Sequence, residues 1–119
     1  MADEITASLK LSFTKNGVTE DMVATGLQID MSGSKYIKNV QSIATSETAL
    51  QKGSVGTPGF CLIKNLDATN FVSVRGSTGA ANCAKIKPGE AVLLRFSGSA
   101  PYLIADTAAV SVEYLLIED

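Results

Sequence analysis

The chain has no histidine and no tryptophan. Without histidine it lacks the commonest general base and the Ser-His-Asp constellation. Cysteine is nearly absent too: Cys61 and Cys83 stand alone, with no Cys-x-x-Cys pair. A zinc site is therefore excluded, and a cysteine nucleophile would lack its usual activating partner. A disulfide between neighbouring strands is geometrically open. For a product of the cytoplasm, two reduced and buried thiols are the expectation. Charge is also sparse, at 18% of residues against roughly 25% in an average soluble protein. Ten Lys and Arg face twelve Asp and Glu, a net charge of −2, so no basic footprint for nucleic acid is present. No apolar run approaches the ~18 residues of a membrane span. Met1-Ala2-Asp3-Glu4 is acidic and no apolar leader core follows, so the expectation is a soluble product made in the cytoplasm, with no membrane partner.

Other chemistries fail on spacing. Gly76-Ser77-Thr78-Gly79 lacks the lysine of a phosphate loop and precedes no helix. Asp67 and Asn70 offer two oxygens where calcium needs six to eight, so an Asx-type turn is the better reading. The carboxylates are scattered, and Glu20-Asp21 and Glu118-Asp119 read as solvated turn and terminal charges. The aromatic supply is Tyr36, Tyr102, Tyr114 and four Phe, a thin basis for a sugar-binding platform. Tyr102, beside Pro101 in a turn, is the tyrosine expected at the surface. These absences point to a non-enzymatic protein with no cofactor, no metal and no catalytic residues.

What is present is a β pattern. A chain of 119 residues is expected to form a single domain over 1–119. Ile5, Ala7, Leu9, Leu11 and Phe13 alternate with Thr6, Ser8, Lys10, Ser12 and Thr14, which makes a strand with one apolar face and one face in solvent. Asn16-Gly17 is a strong turn signal. A second strand covers at least 26–31, and Ser32-Gly33-Ser34 ends it. In 36–44 the spacing of Ile37, Val40 and Ile43 fits helix as well as strand, and β-branched content favours strand. Residues 46–51 read as a short strand or irregular edge.

The centre of the chain is the most informative. Strands are expected near 60–65, 71–75 and 83–86, the last two joined by a mobile small-residue loop over 76–82. Asn65, Asp67 and Asn70 mark one turn, because their side chains hydrogen-bond nearby backbone. Lys87-Pro88-Gly89-Glu90 marks another, with Pro88 fixing φ and Gly89 accepting a positive one. The run 91–97 is nearly all apolar, broken by Arg95, as in a strand covered on both faces or sitting in a sandwich centre. A turn at 98–101, a strand at 102–105 and a last strand at 109–117 complete the chain. Arg75 and Arg95 sit in apolar strands, either as outward-pointing side chains or as interface anchors. The fold class is all-β: a single jelly-roll-like β-sandwich of about eight antiparallel strands without substantial helix. The first and last strands, both long, are expected side by side in one sheet.

PGFCLIKNLDATNFVSV, IKPGEAVLLRF, the closing AAVSVEYLLIED and the opening MADEITASLKLSF together resemble small tailed-phage proteins encoded among virion genes. The resemblance touches most of the chain, and the NLDATN and KPGE turns are its specific parts. It implies a virion structural protein, above all a head decoration (cement) protein on the outer capsid surface. The implied partner is the major capsid protein of a tailed phage, with self-association as a trimer. A second role open to such a domain is a tail- or baseplate-associated module that recognises host-surface glycans, with Tyr102 in its site.

Overall fold

The computed structural model describes residues 4–97 and 101–119. The expected turn at 98–101 falls largely outside them, as do the first three residues. Among the described residues the fold is all-β, with ten strands in three antiparallel sheets and no helix. The chain divides into two compact units, the first ending at Ser32 and the second running from Gly33 to Asp119.

The first unit is one long hairpin, β1 (Ile5–Lys15) and β2 (Val18–Ile29). Asn16 and Gly17 turn the chain with φ of 53° and 79°. Positive φ at both central positions is the I′ geometry whose twist matches the flanking strands. The second strand therefore starts at Val18, eight residues before the sequence pattern reveals it. Two features hide it. Thr19-Glu20-Asp21 interrupts the apolar residues, and a bulge shifts the alternation. Ala7 pairs with Leu27 but Leu9 pairs with Ala24, so Thr25 and Gly26 together oppose Ser8. Gly26 takes φ 66° there, and its N–H donates to Ser8 Oγ.

The second unit holds β3 (Tyr36–Ile43), β4 (Thr48–Ala49), β5 (Pro58–Asn65), β6 (Val72–Arg75), β7 (Ala84–Ile86), β8 (Ala91–Arg95), β9 (Tyr102–Ala105) and β10 (Val110–Glu118). One sheet has the order β3-β10-β5-β8, the other β4-β9-β6-β7. Alternation puts Ile43, Cys61, Ile63, Val110, Val112, Tyr114 and Leu116 of the first sheet into one buried cluster with Val72, Val74, Ile86 and Leu103 of the second. Each such aliphatic side chain contributes about 1.5–3 kcal/mol by leaving water.

Two expectations about strand placement are corrected. The first strand does not lie beside the last: β1 pairs with β2, while β10 is central between β3 and β5. An apolar face made β1 look like a core strand, but alternation does not say what covers it. The run at 91–97 is not covered on both sides, because β8 ends its sheet and Ala91 and Arg95 are exposed. Val92 and Leu94 pack on the core and Leu93 lies on the opposite face. The short strand or irregular edge expected over 46–51 is present as β4, a two-residue strand at the edge of its sheet, where the Thr48 hydroxyl donates to the Ser46 carbonyl and accepts the Ala44 N–H.

Candidate binding surfaces

The residues singled out as turn-formers meet at one end of the core. Asn65 is 2% exposed, at the last position of β5. Its amide Nδ2 donates to the carbonyls of Asn70 (3.0 Å) and Ile86 (2.9 Å). Its Oδ1 accepts the Asp67 N–H at 2.7 Å. Asp67 Oδ2 in turn accepts the N–H groups of Asn70 and Thr69 and the Thr69 hydroxyl. Those donors, that of Asn70 foremost, hold the Asp67 carboxyl below the usual carboxylate range. The 87–90 turn docks on the same amide residue: Glu90 N–H donates to the Lys87 carbonyl, and Gly89 N–H donates to the Asn65 carbonyl. The cluster closes on itself, and every polar group of the Asn65 side chain is used.

Two further carboxylates act as clasps. Glu47 accepts from the Thr78 hydroxyl (2.6 Å), the Gly79 N–H (2.9 Å) and Arg75 Nη1 (2.9 Å). Its pKa is lowered, by Thr78 first, then Gly79 and Arg75. The loop over 76–82, whose small side chains suggest mobility, is thus tied down at its middle. Arg75 also donates to Asn82 Oδ1, so its guanidinium bonds both Glu47 and the far end of the 76–82 loop. Glu118 accepts the N–H groups of Gly56, Ser34 and Lys35, and these three, Gly56 foremost, lower its pKa. Gly33 lies so close that a Cβ there would fall 2.0 Å from Glu118 Oε1. Arg95 pairs with Asp119 and lies over the Phe60 ring.

Tyr102 is half-buried, and Tyr36, at 65% exposure, is the tyrosine that faces solvent. The thiols differ from expectation as well. Both are free, but only Cys61 is buried, and burial pushes its pKa up to about 12. Cys83 is exposed because 82–83 precede β7 rather than forming part of it. It lines an open hollow of about 450 Å³ with Phe71, Ser73, Asn82 and Lys85. No group of three or more His, Cys, Asp or Glu is placed to hold a metal among the described residues.

The surfaces with the most to offer a partner are apolar. On the hairpin, Ile5, Ala7, Leu9, Leu11 and Phe13 share one face with Ile29, Leu27, Ala24, Met22 and Val18 of the paired strand. Leu11 and Met22 sit opposite each other and are each 78% exposed. The opposite face holds Thr6, Lys10, Ser12 and Thr14 against Gln28, Val23, Asp21 and Thr19. On the second unit, the outer face of the β3-β10-β5-β8 sheet joins Tyr36 to Ile117, Leu115 to Leu62, and Leu62 to Leu93 across paired strands. Val40 is exposed beside Glu113, which pairs with Lys64 at 3.8 Å. A shallow hollow of about 270 Å³ lies among Lys38, Leu62, Lys64, Glu113 and Leu115. Alternation in the sequence marks the apolar face of β1, but the strand lies in a hairpin of its own rather than beside the last strand as expected.

The sequence matches no family model and no curated protein, and the structure matches no solved structure.

Proposed function

We propose that this protein is a non-enzymatic structural component of a tailed-phage virion, a decoration protein that binds the outer capsid surface and stabilises the head. The observation that carries the proposal is the strand order of the second unit. Counted within that unit, its first, eighth, third and sixth strands make one sheet, and its second, seventh, fourth and fifth make the other. That order supports reading the unit as two Greek keys wound into a jelly-roll sandwich, an architecture that recurs in viral shells. The step from such a fold to a shell role is analogy, joined here to the resemblance of the NLDATN and KPGE turns.

Three features support the same role. Among the described residues the polar clusters at Glu47, Asn65 and Glu118 hold loops of the body together. The apolar side chains that remain are spread over sheet faces, as flat contact with a lattice requires. Self-association, with a trimer favoured at a local three-fold position, fits a chain with more than one apolar face. The partner is the major capsid protein, with no nucleic acid or membrane involved.

The deciding experiment is the copy number of the protein in purified particles, by quantitative mass spectrometry against the major capsid subunit. The expected result is a number comparable to that subunit or a simple fraction of it. A few copies per particle would move the protein to the tail and raise the glycan-binding role. Absence from particles would overturn the virion role.

A further inference from the structure

We infer that the apolar face of the hairpin is covered by a second copy of this chain, packing on the outer face of that copy's β3-β10-β5-β8 sheet. The inference deepens the self-association proposed above. It is separable from the virion role, since copy number in particles tests that role and mass in solution tests this contact.

A two-stranded hairpin without a third layer is marginal in water. This one leaves Leu9, Leu11, Phe13, Val18, Met22 and Leu27 exposed in the single chain. Apolar surface of that extent marks an interaction site. The same chain also offers the acceptor. The outer sheet face presents Tyr36, Val40 and Leu62 as exposed apolar groups, with Leu93, Leu115 and Ile117 half-covered beside them. A sheet face covered by a two-stranded layer is the ordinary packing of a β-sandwich. Because each chain holds both surfaces, supply and demand match at any copy number.

Charge and area favour the same occupant. The first 32 residues contain Asp3, Glu4, Glu20, Asp21 and Asp30 against Lys10 and Lys15, whereas cations exceed carboxylates from Gly33 onward. The acceptor face includes the Lys38 ammonium, which has no carboxylate partner among the described residues. An acidic hairpin is thus matched to a face with a cation to spare. Eleven residues at ~3.4 Å and two strands at ~4.8 Å make a face about 37 Å long and about 10 Å wide. Covering it hides on the order of 400 Å² on each partner, short of the ~800 Å² per partner of a standard interface. A reciprocal pair, in which each chain gives its hairpin to the other and receives the other's, buries about 800 Å² per partner and reaches that size. Hairpin and sheet face are different surfaces, so the contact closes either as a two-fold reciprocal pair or, by head-to-tail repetition, as a ring.

The test is the solution mass of the full chain, by sedimentation equilibrium over a concentration series. The wild type is expected as a closed oligomer. A hairpin variant, Leu11→Glu with Met22→Glu, and a face variant, Leu62→Glu with Val40→Glu, are each expected to fall to the mass of one chain, 12.4 kDa. Lys85→Glu, on the other sheet, is expected to keep the wild-type mass. All substituted side chains are exposed, and circular dichroism checks that the body stays folded. Should either double variant unfold, Leu11→Ser and Leu62→Ser replace them. A monomeric wild type would overturn the inference, leaving the face to the chain itself or to a foreign partner. A face variant that keeps its oligomer would overturn it in favour of hairpin against hairpin. Dissociation of Lys85→Glu would overturn it by showing that the contact is not specific to this face.

Discussion

Asn65 is the side chain on which the turn end of the body depends. It bonds the buried Ile86 carbonyl and, within its own turn, the part-buried Asn70 carbonyl and Asp67 N–H. Removing the amide takes a partner from all three, and the Ile86 bond is buried away from water. Asn65→Ala is expected to destabilise the body by about 3 kcal/mol, the usual scale for stranding more than one buried polar group. Urea unfolding checks it, and a loss under about 1 kcal/mol would show that the turn holds without its hub. Asp67→Asn should be milder, because its bonds lie at the surface. The residues of this turn were legible in the sequence, since Asn and Asp in a short polar break have few other uses. The reach of Asn65 to Ile86 was not legible, because it depends on which strands become neighbours. Arg75 and Glu47 lie apart in the chain for the same reason, and no local pattern pairs them.

The hairpin depends on two backbone positions at the scale of the element. The Asn16-Gly17 turn sets its register, and the bulge at Gly26 resets it partway along. Nothing lies within 4 Å of a Cβ built at Gly26, so only its φ of 66° constrains it. Gly26→Ala is therefore expected to cost about 1 kcal/mol in the hairpin, through left-handed strain alone. Amide hydrogen exchange should show faster exchange along β1 and β2 with the body unchanged. Equal protection in variant and parent would mean that the bulge relaxes without cost. Strict alternation made β1 readable almost to the residue. The bulge made β2 half-readable, because one extra residue inverts the phase of every side chain before it. For β8 the composition misled: a run of apolar residues suits a central strand, and here it suits an edge whose outer side chains lie on a face still open to a partner.

The second unit as a whole is held by carboxylates, Glu47 and Glu118 bridging distant segments and Asp67 closing its own turn. Glu47, Asp67 and Glu118 all have lowered pKa values in the folded protein, each through hydrogen bonds to its charged form. Lowered values mean that the unfolded chain takes up protons first as pH falls. Their contribution is complete above the ordinary carboxylate range and is lost as pH drops through the depressed folded values. The urea midpoint is expected to be level above about pH 6 and to fall steadily below about pH 4.5. A midpoint unchanged down to about pH 2 would show that these clasps add nothing. The all-β class and most strand positions were legible from alternation and turns. The division into a hairpin and a body was not, because periodicity reports which side chains share a face and is silent on what faces them. One feature of the body bears on how the protein is made. The strand at 110–118 lies in the middle of its sheet, bonded to segments that begin at Tyr36 and at Pro58. No nascent chain shorter than this can join those two segments, however long it waits on the ribosome. Most of the body must stay open until synthesis has passed residue 118, and folding then closes long loops at once, which is slow. The exposed apolar strands of that interval are where chaperones would find this protein.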